Sequence, residues 1–354
     1  MSNHVTAQFA ANINGADSLR IVVATDLRER SAMALRRAIA LATGIDARLS
    51  LVHAVRKAPS KSKERARRNF AYAQLLSAVD EAISSPIDPH RQSFNHIEID
   101  VQVGKPLDVI IAAANEVNAD LIVIAAPQAR RLDWIVGTTA ERLIRATQRP
   151  VLIVHGEMHA MYRSAAVATD LSDGSISLIQ AAARFGLLAQ AHTTLLHAFD
   201  RSYAGTLKSA GVEAGVINSF YRDWRDELEA KARGALDAAG VAIDNSRVVV
   251  QPNEPAAAIR EIIEQRQPEL LVIGASRWFL TKRLLIGSVA DEVLRTARCD
   301  ILVIPRKLKK AYMSRMRHAA PKSTTPFMDE APQSGHLPIS AQISKSQGSE
   351  TPKP

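Results

Sequence analysis

The segment LLVIGASRWFLTKRLLIGSVADEVL, residues 270–294, carries the clearest chemistry in this chain. An apolar run closes on Gly274, a loop follows with Arg277, Lys282 and Arg283, and Gly287-Ser288 opens a stretch of helical period. Backbone N–H groups at a helix start have no intrahelical acceptor, and the helix dipole adds partial positive charge there. With the Ser288 hydroxyl, such a spot suits phosphate oxygens. Gly274 has no Cβ, so a ligand can approach the backbone closely. Arg277 leaves two alternatives: its side chain occupies space a phosphate needs, or its guanidinium clamps that phosphate bidentately. A Gly-Ser at a helix start is by itself more often a plain cap than an anion site; the strand, the glycine and the basic loop together raise it above that.

The rest of the chain offers no catalyst. There is no GxxxxGK[ST], HExxH or GxSxG pattern, each of which marks a specific phosphate, metal or nucleophile geometry. A single cysteine, Cys299, excludes an internal disulfide and a multi-cysteine metal site. Asp26 and Asp170 fall at matching places in separate repeats and form no paired-carboxylate centre. No catalytic residue is assigned, and no metal site is expected.

The elements that would position these residues occur twice. IVVATD at 21–26 returns as AAVATD at 165–170, and VGTTAERLIRATQRPVLIV at 136–154 as IGSVADEVLRTARCDILVI at 286–304. A unit of this length is a duplicated domain, since solenoid repeats span roughly 20–50 residues. Within each copy, short β-rich apolar runs alternate with segments of helical period, the pattern of a parallel sheet wrapped by helices. Strands are expected near 20–25, 48–54, 96–102, 120–125 and 150–154, then near 164–169, 192–198, 246–250, 269–274 and 300–304. LIVIA and LLVIG show no polar alternation and should be buried on both faces. In 31–43 the apolar stripe is Ala34, Leu35, Ala38, Ile39 and Ala42. Ser31 and Ser175 read as helix N-caps. The basic stretch at 57–70 reads as a solvated helix face.

The fold class is therefore α/β, with two tandem doubly wound domains, each a five-stranded parallel sheet flanked by helices. Residues 1–18 form a disordered N-terminal tail, 19–156 and 162–306 the two domains, and 307–354 a disordered basic tail. An apolar edge strand needs a partner, so the last strands, 151–154 and 301–304, are expected to pair as an internal pseudo-dimer. The net charge is +9, but nine Lys or Arg against three Asp or Glu lie beyond residue 304, so the surplus belongs mainly to the tail. Nucleic-acid contact is expected only as unspecific binding by that tail. No apolar run reaches the roughly 18–20 residues of a membrane span, and the first residues do not read as a secretory signal. Cytoplasmic residence is the expectation.

The order of VATDLSDGS, LLHA, LLVIGAS and RLLIGSVADEVLRTARCDILVIP resembles universal stress proteins, and the likeness extends over roughly residues 19–306. Nucleotide-binding members of that family carry Gly, two residues, Gly, nine residues, then Gly-Ser or Gly-Thr. The second copy has Gly274, then Arg277 where the second glycine belongs, then nine residues and Gly287-Ser288. The first copy has Ala125 in place of the first glycine, lacks the second, and is one residue short before Gly137-Thr138. The resemblance implies an adenine nucleotide such as ATP, at most one per chain, in the second copy. Asp170 would face adenine or ribose, the backbone around Leu196 and His197 would line the base pocket, and Gly274, Gly287, Ser288 and Val289 would hold ribose and phosphates. It also implies a stress-response regulatory module with protein clients, for which homo-oligomers are an open expectation. Two alternatives remain: a protein-interaction module without nucleotide, and a slow ATPase.

Overall fold

The computed structural model describes residues 18–84, 97–126, 139–155, 161–199, 203–275 and 297–305. In the first repeat the strands are β1 (Arg20–Thr25), β2 (Arg48–Val55), β3 (Ile97–Val103), β4 (Leu121–Ala125) and β5 (Val151–Val154). Its helices are α1 (Glu29–Ile45), α2 (Lys61–Ser84), α3 (Pro106–Glu116) and α4 (Thr139–Ala146). In the second repeat the strands are β6 (Ser164–Ala168), β7 (His192–Phe199), β8 (Ser246–Pro252), β9 (Leu270–Ala275) and β10 (Asp300–Pro305). Between them run α5 (Asp173–Arg184), α6 (Tyr203–Ser209), α7 (Ala214–Ala238) and α8 (Pro255–Arg266). The runs without polar alternation are the central strands: β4 and β9 are buried from Leu121 to Ile124 and from Leu270 to Ile273.

The strand order is β3-β2-β1-β4-β5-β10-β9-β6-β7-β8. Pairing is parallel within each repeat and antiparallel where β5 meets β10, with Ile153 opposite Ile301, Leu152 opposite Leu302 and Val151 opposite Val303. The expected edge pairing is present, and it fuses the two five-stranded sheets into one of ten strands. One apolar layer, under α1, α2, α5 and α7, draws on both repeats through Leu152 and Leu302. The opposite layer, under α3, α4 and α8, does so through Ile153 and Ile301. Each fully buried aliphatic side chain contributes about 1.5–3 kcal/mol, so the joint is part of the core.

An ion pair also ties the repeats together. Arg37 on α1 and Asp300 on β10 are 3% and 1% exposed, and Arg37 Nε donates to Asp300 Oδ2 at 3.1 Å. Tyr162 donates its hydroxyl proton to the same oxygen at 2.6 Å, and the His155 backbone N–H donates to Oδ1 at 2.8 Å. The Arg37 guanidinium lies 4.2 Å from the Tyr162 ring centroid. Burial, reinforced by the Asp300 charge, raises the Tyr162 phenol well above its usual range. Burial lowers the His155 imidazole, against an opposing pull from Asp300. The neighbouring Cys299 thiol is pushed up to about 11, mainly by burial, and stays protonated at neutral pH.

Candidate functional site

Both repeats build the same turn where the first strand ends. VATDL stands at 23–27 and again at 167–171. Thr25 Oγ1 accepts the Leu27 N–H at 3.0 Å, and Asp26 Oδ1 accepts the Arg28 N–H at 3.1 Å. In the second copy Thr169 Oγ1 accepts the Leu171 N–H at 3.0 Å, and Asp170 Oδ1 the Ser172 N–H at 3.0 Å. Leu27 and Leu171 have φ of 64° and 52°, a left-handed conformation costing a residue with a Cβ roughly 1–2 kcal/mol. The side-chain bonds of each turn, at about 0.5–1.5 kcal/mol apiece, offset that strain.

A hydroxyl orients each carboxylate. Ser31 donates to Asp26 Oδ1 at 2.6 Å and accepts the Asp26 N–H at 3.1 Å, while Ser172 donates to Asp170 Oδ1 at 2.6 Å. Ser31 is therefore not the N-cap expected from its type. α1 begins at Glu29, with Arg28 as its N-cap residue, so Ser31 stands at the third helical position and holds the aspartate instead. α5 likewise begins at Asp173 with Ser172 before it, which removes Ser175 from the cap position. The histidines are anchored in the same way in both copies. His53 Nδ1 donates to the Thr25 carbonyl at 2.8 Å and His197 Nδ1 to the Thr169 carbonyl at 2.9 Å. A carbonyl only accepts, so Nδ1 carries the proton and, in the neutral ring, Nε2 is an acceptor.

Connection direction reverses between β1 and β4, and again between β6 and β9. Ligands of open α/β sheets sit outside the carboxyl ends of strands at such switch points. Ala168 lies opposite Ile273, so Asp170 follows one strand of the second switch point and Gly274 lies near the end of the other. β7 adjoins β6 on its other side and carries Leu196 and His197. The Leu196 carbonyl already accepts the Thr169 N–H at 3.0 Å, and its side chain is buried. Asp170, Leu196, His197 and Gly274 are thus brought together. Arg277, Gly287, Ser288 and Val289, with Gly137 and Thr138 of the first copy, lie outside the described residues.

Gly274 also has a packing role. A Cβ built there would stand 3.1 Å from Leu178 Cδ1 on α5. The first copy has Ala125 at the strand position and Ala34 at the helix position, where the second has Gly274 and Leu178. Volume lost from the strand is restored on the helix, as close packing requires.

The repeats differ most between the second strand and the long helix after it. In the first, a cleft of about 370 Å³ is lined by Leu27, His53, Arg56, Arg67, Phe70 and Gln74, among others. In the second, Phe199 replaces the cleft-lining Val55 and packs on Tyr221 and Trp224, with ring centroids 6.2 and 5.1 Å away. Sequence reasoning missed both this contrast and the strained turn. For the turn, the identical VATDL pentapeptides were the available signal. Among the described residues no cluster of three or more His, Cys, Asp or Glu could hold a metal ion, and no helix is long and apolar enough to cross a membrane.

The duplicated doubly wound sheet agrees with the comparisons. The universal stress protein family model matches residues 18–155 and again 161–305. The chain belongs to that family. It is 25% identical over 150 residues to universal stress protein MJ0531 of Methanocaldococcus jannaschii, covering 42% of this chain and 86% of the relative. With stress response protein NhaX of Bacillus subtilis it shares 28% identity over 160 residues, 38% of this chain and 96% of that one. A solved structure of PA1789 from Pseudomonas aeruginosa, a protein of unknown function, covers 84% of this chain and 95% of its own, with a TM-score of 0.55 and 17% identity. At that identity the likeness is one of fold.

Proposed function

We propose that this chain is a cytoplasmic stress-response regulatory module that signals to client proteins and takes at most one adenine nucleotide per chain, in its second repeat. The supporting observation is that Asp170, just past the end of β6, and Gly274, on the neighbouring β9, fall at one switch point, in a repeat whose sequence goes on to Gly287-Ser288. In this reading Asp170 addresses the adenine or ribose, the strand ends at Leu196 and His197 border the base, and Gly274, Gly287, Ser288 and Val289 hold ribose and phosphates. No catalytic step is assigned. Arg277 replaces a glycine of the family pattern, and in our reading it obstructs the phosphates.

Titration calorimetry with ATP tests this. The native protein is expected to bind weakly or not at all, and Arg277→Gly to bind measurably. Gly287→Asp in the Arg277→Gly background should abolish that binding, because this reading expects phosphate at that position and a carboxylate there would repel it. Tight binding by the native protein that collapses in Arg277→Gly would make the guanidinium a phosphate clamp. Two ATP per chain would overturn the assignment to the second repeat.

A further inference from the structure

The cleft of the first repeat includes His53, the counterpart of His197, but it lies in the repeat to which no nucleotide is assigned, and its surroundings are strongly charged. Between Arg56 and Arg68 there are seven Lys or Arg and one Glu, whereas Tyr203–Glu227 in the second repeat holds three basic and four acidic residues. α2 packs on the sheet through Ala71, Leu75, Val79 and Ala82. Beside that seam, Lys63, Arg67, Phe70 and Gln74 follow at i, i+4, i+7 and i+11, a spacing that sets them in one row along the helix. Three of the four, Arg67, Phe70 and Gln74, line the cleft.

Two details make this row a binding surface and not merely a solvated face. Arg67 Nη1 donates to the carbonyls of Arg56 and Lys57 at 3.3 Å each. Those bonds fix the guanidinium at the cleft and leave Nε and Nη2 for an anion. Phe70 is 67% exposed, an apolar ring left in water among cations, where burial would have stabilised it. His53 and Gln74 add hydrogen-bonding groups on the cleft wall.

We propose that this face binds single-stranded RNA, one base stacking on Phe70 in the cleft while Arg56, Lys57, Lys63 and Arg67 follow the phosphates. Single strands are bound by aromatic platforms flanked by cationic grooves, and a cleft of this volume accommodates one base with its sugar. A polyanion without bases would use the charge but could not stack on the ring.

The test uses the full-length protein and a fluorescein-labelled 12-nucleotide oligouridylate in fluorescence anisotropy at several salt concentrations. Saturable binding is expected, weakened about tenfold by Phe70→Ala, the scale of one base–aromatic stack. Lys63→Ala/Arg67→Ala should flatten the slope of log K against log salt by about 1.4, two contacts at about 0.7 each. Because Phe70 is exposed, its removal leaves the fold intact, which circular dichroism checks. An inorganic polyphosphate of equal charge should compete poorly. Equal binding by native protein and Phe70→Ala, equal competition by polyphosphate, or a salt slope that only tail truncation changes would each overturn the proposal. In the Arg277→Gly background, ATP titration of these variants should match that of Arg277→Gly alone, which separates this surface from the nucleotide reading.

Discussion

Asp300→Asn should be among the most destabilising single substitutions in this protein, and its cost follows from geometry. The carboxylate is 1% exposed and accepts from Arg37 at 3.1 Å, from Tyr162 at 2.6 Å and from the His155 N–H at 2.8 Å. Asparagine can keep an oxygen for the His155 N–H, but its amide then faces two donors, and the buried Arg37 guanidinium loses the charge of the Asp300 carboxylate. Removing one partner of a buried pair costs about 3–5 kcal/mol. At about 2 °C per kcal/mol for a chain of this size, melting should fall by about 6–10 °C in calorimetry. Replacing the three side chains, Arg37→Met with Asp300→Leu and Tyr162→Phe, should return part of that loss, since apolar replacements of buried pairs are often neutral or stabilising, less about 1–3 kcal/mol for the His155 N–H that loses its acceptor. A double-mutant cycle of Arg37→Met and Asp300→Asn should give a coupling energy above about 1.5 kcal/mol. A melting point within 2 °C of native for Asp300→Asn, or additive effects in the cycle, would refute the claim that this ion pair helps join the repeats.

Stability should decline on both sides of neutrality. The folded pKa of His155 is lowered, so the unfolded chain binds the extra proton, and the stability conferred by keeping the ring neutral is lost as pH falls below about 6.5. Burial raises the folded pKa of Cys299 to about 11 and that of Tyr162 well above the usual phenol range, so the unfolded chain releases these protons first and stability is lost as pH rises through 9 and beyond. Urea titrations at pH 5, 7.5 and 10 check this, and a loss on the acid side unaltered in His155→Asn would refute the assignment to that ring. Gly274→Ala should cost about 1–2 kcal/mol by crowding Leu178 Cδ1, and Leu178→Ala should relieve that crowding, read as non-additivity in urea titration; an undiminished cost would show that the glycine answers to something other than helix packing.

The architecture was readable because each strand is a short, β-rich apolar run and each run appears twice. β4 and β9 begin and end within a residue of their expected limits. The edge pairing followed from the hazard of leaving VLIV and ILVI open, and β5 and β10 pair as that argument requires. What could not be read depends on distance in sequence or on backbone geometry. Nothing local marks Arg37 as buried, because its partner lies 263 positions away on the other repeat. The helix starts were misjudged because serine is a common N-cap, while here Asp26 and Asp170 draw a nearby hydroxyl to the carboxylate. The glycine pattern was legible but ambiguous, since Gly274 faces Leu178 as well as the strand end.

Duplication gave both repeats the same turn, histidine anchor and switch point, yet the two have not kept the same open surfaces. The second repeat spends Phe199, Tyr221 and Trp224 on an aromatic cluster beside its long helix. The first leaves that region as a cleft under a cationic helix. The glycine pattern shows the opposite bias, with Gly274 and Gly287-Ser288 in the second repeat and Ala125 in the first. Neither repeat retains both features. Because the shared core and the Arg37–Asp300 pair join the halves, losing one surface in one repeat need not unfold it, and each half can carry a separate recognition task. That division predicts independence: in the Arg277→Gly background Phe70→Ala should leave adenine-nucleotide titrations unchanged, and Gly287→Asp should leave oligouridylate binding unchanged. A substitution on either face that shifts binding at the other by more than about threefold, roughly 0.65 kcal/mol of coupling by the relation ΔG = −RT ln α, would show that the ten-stranded sheet links the two.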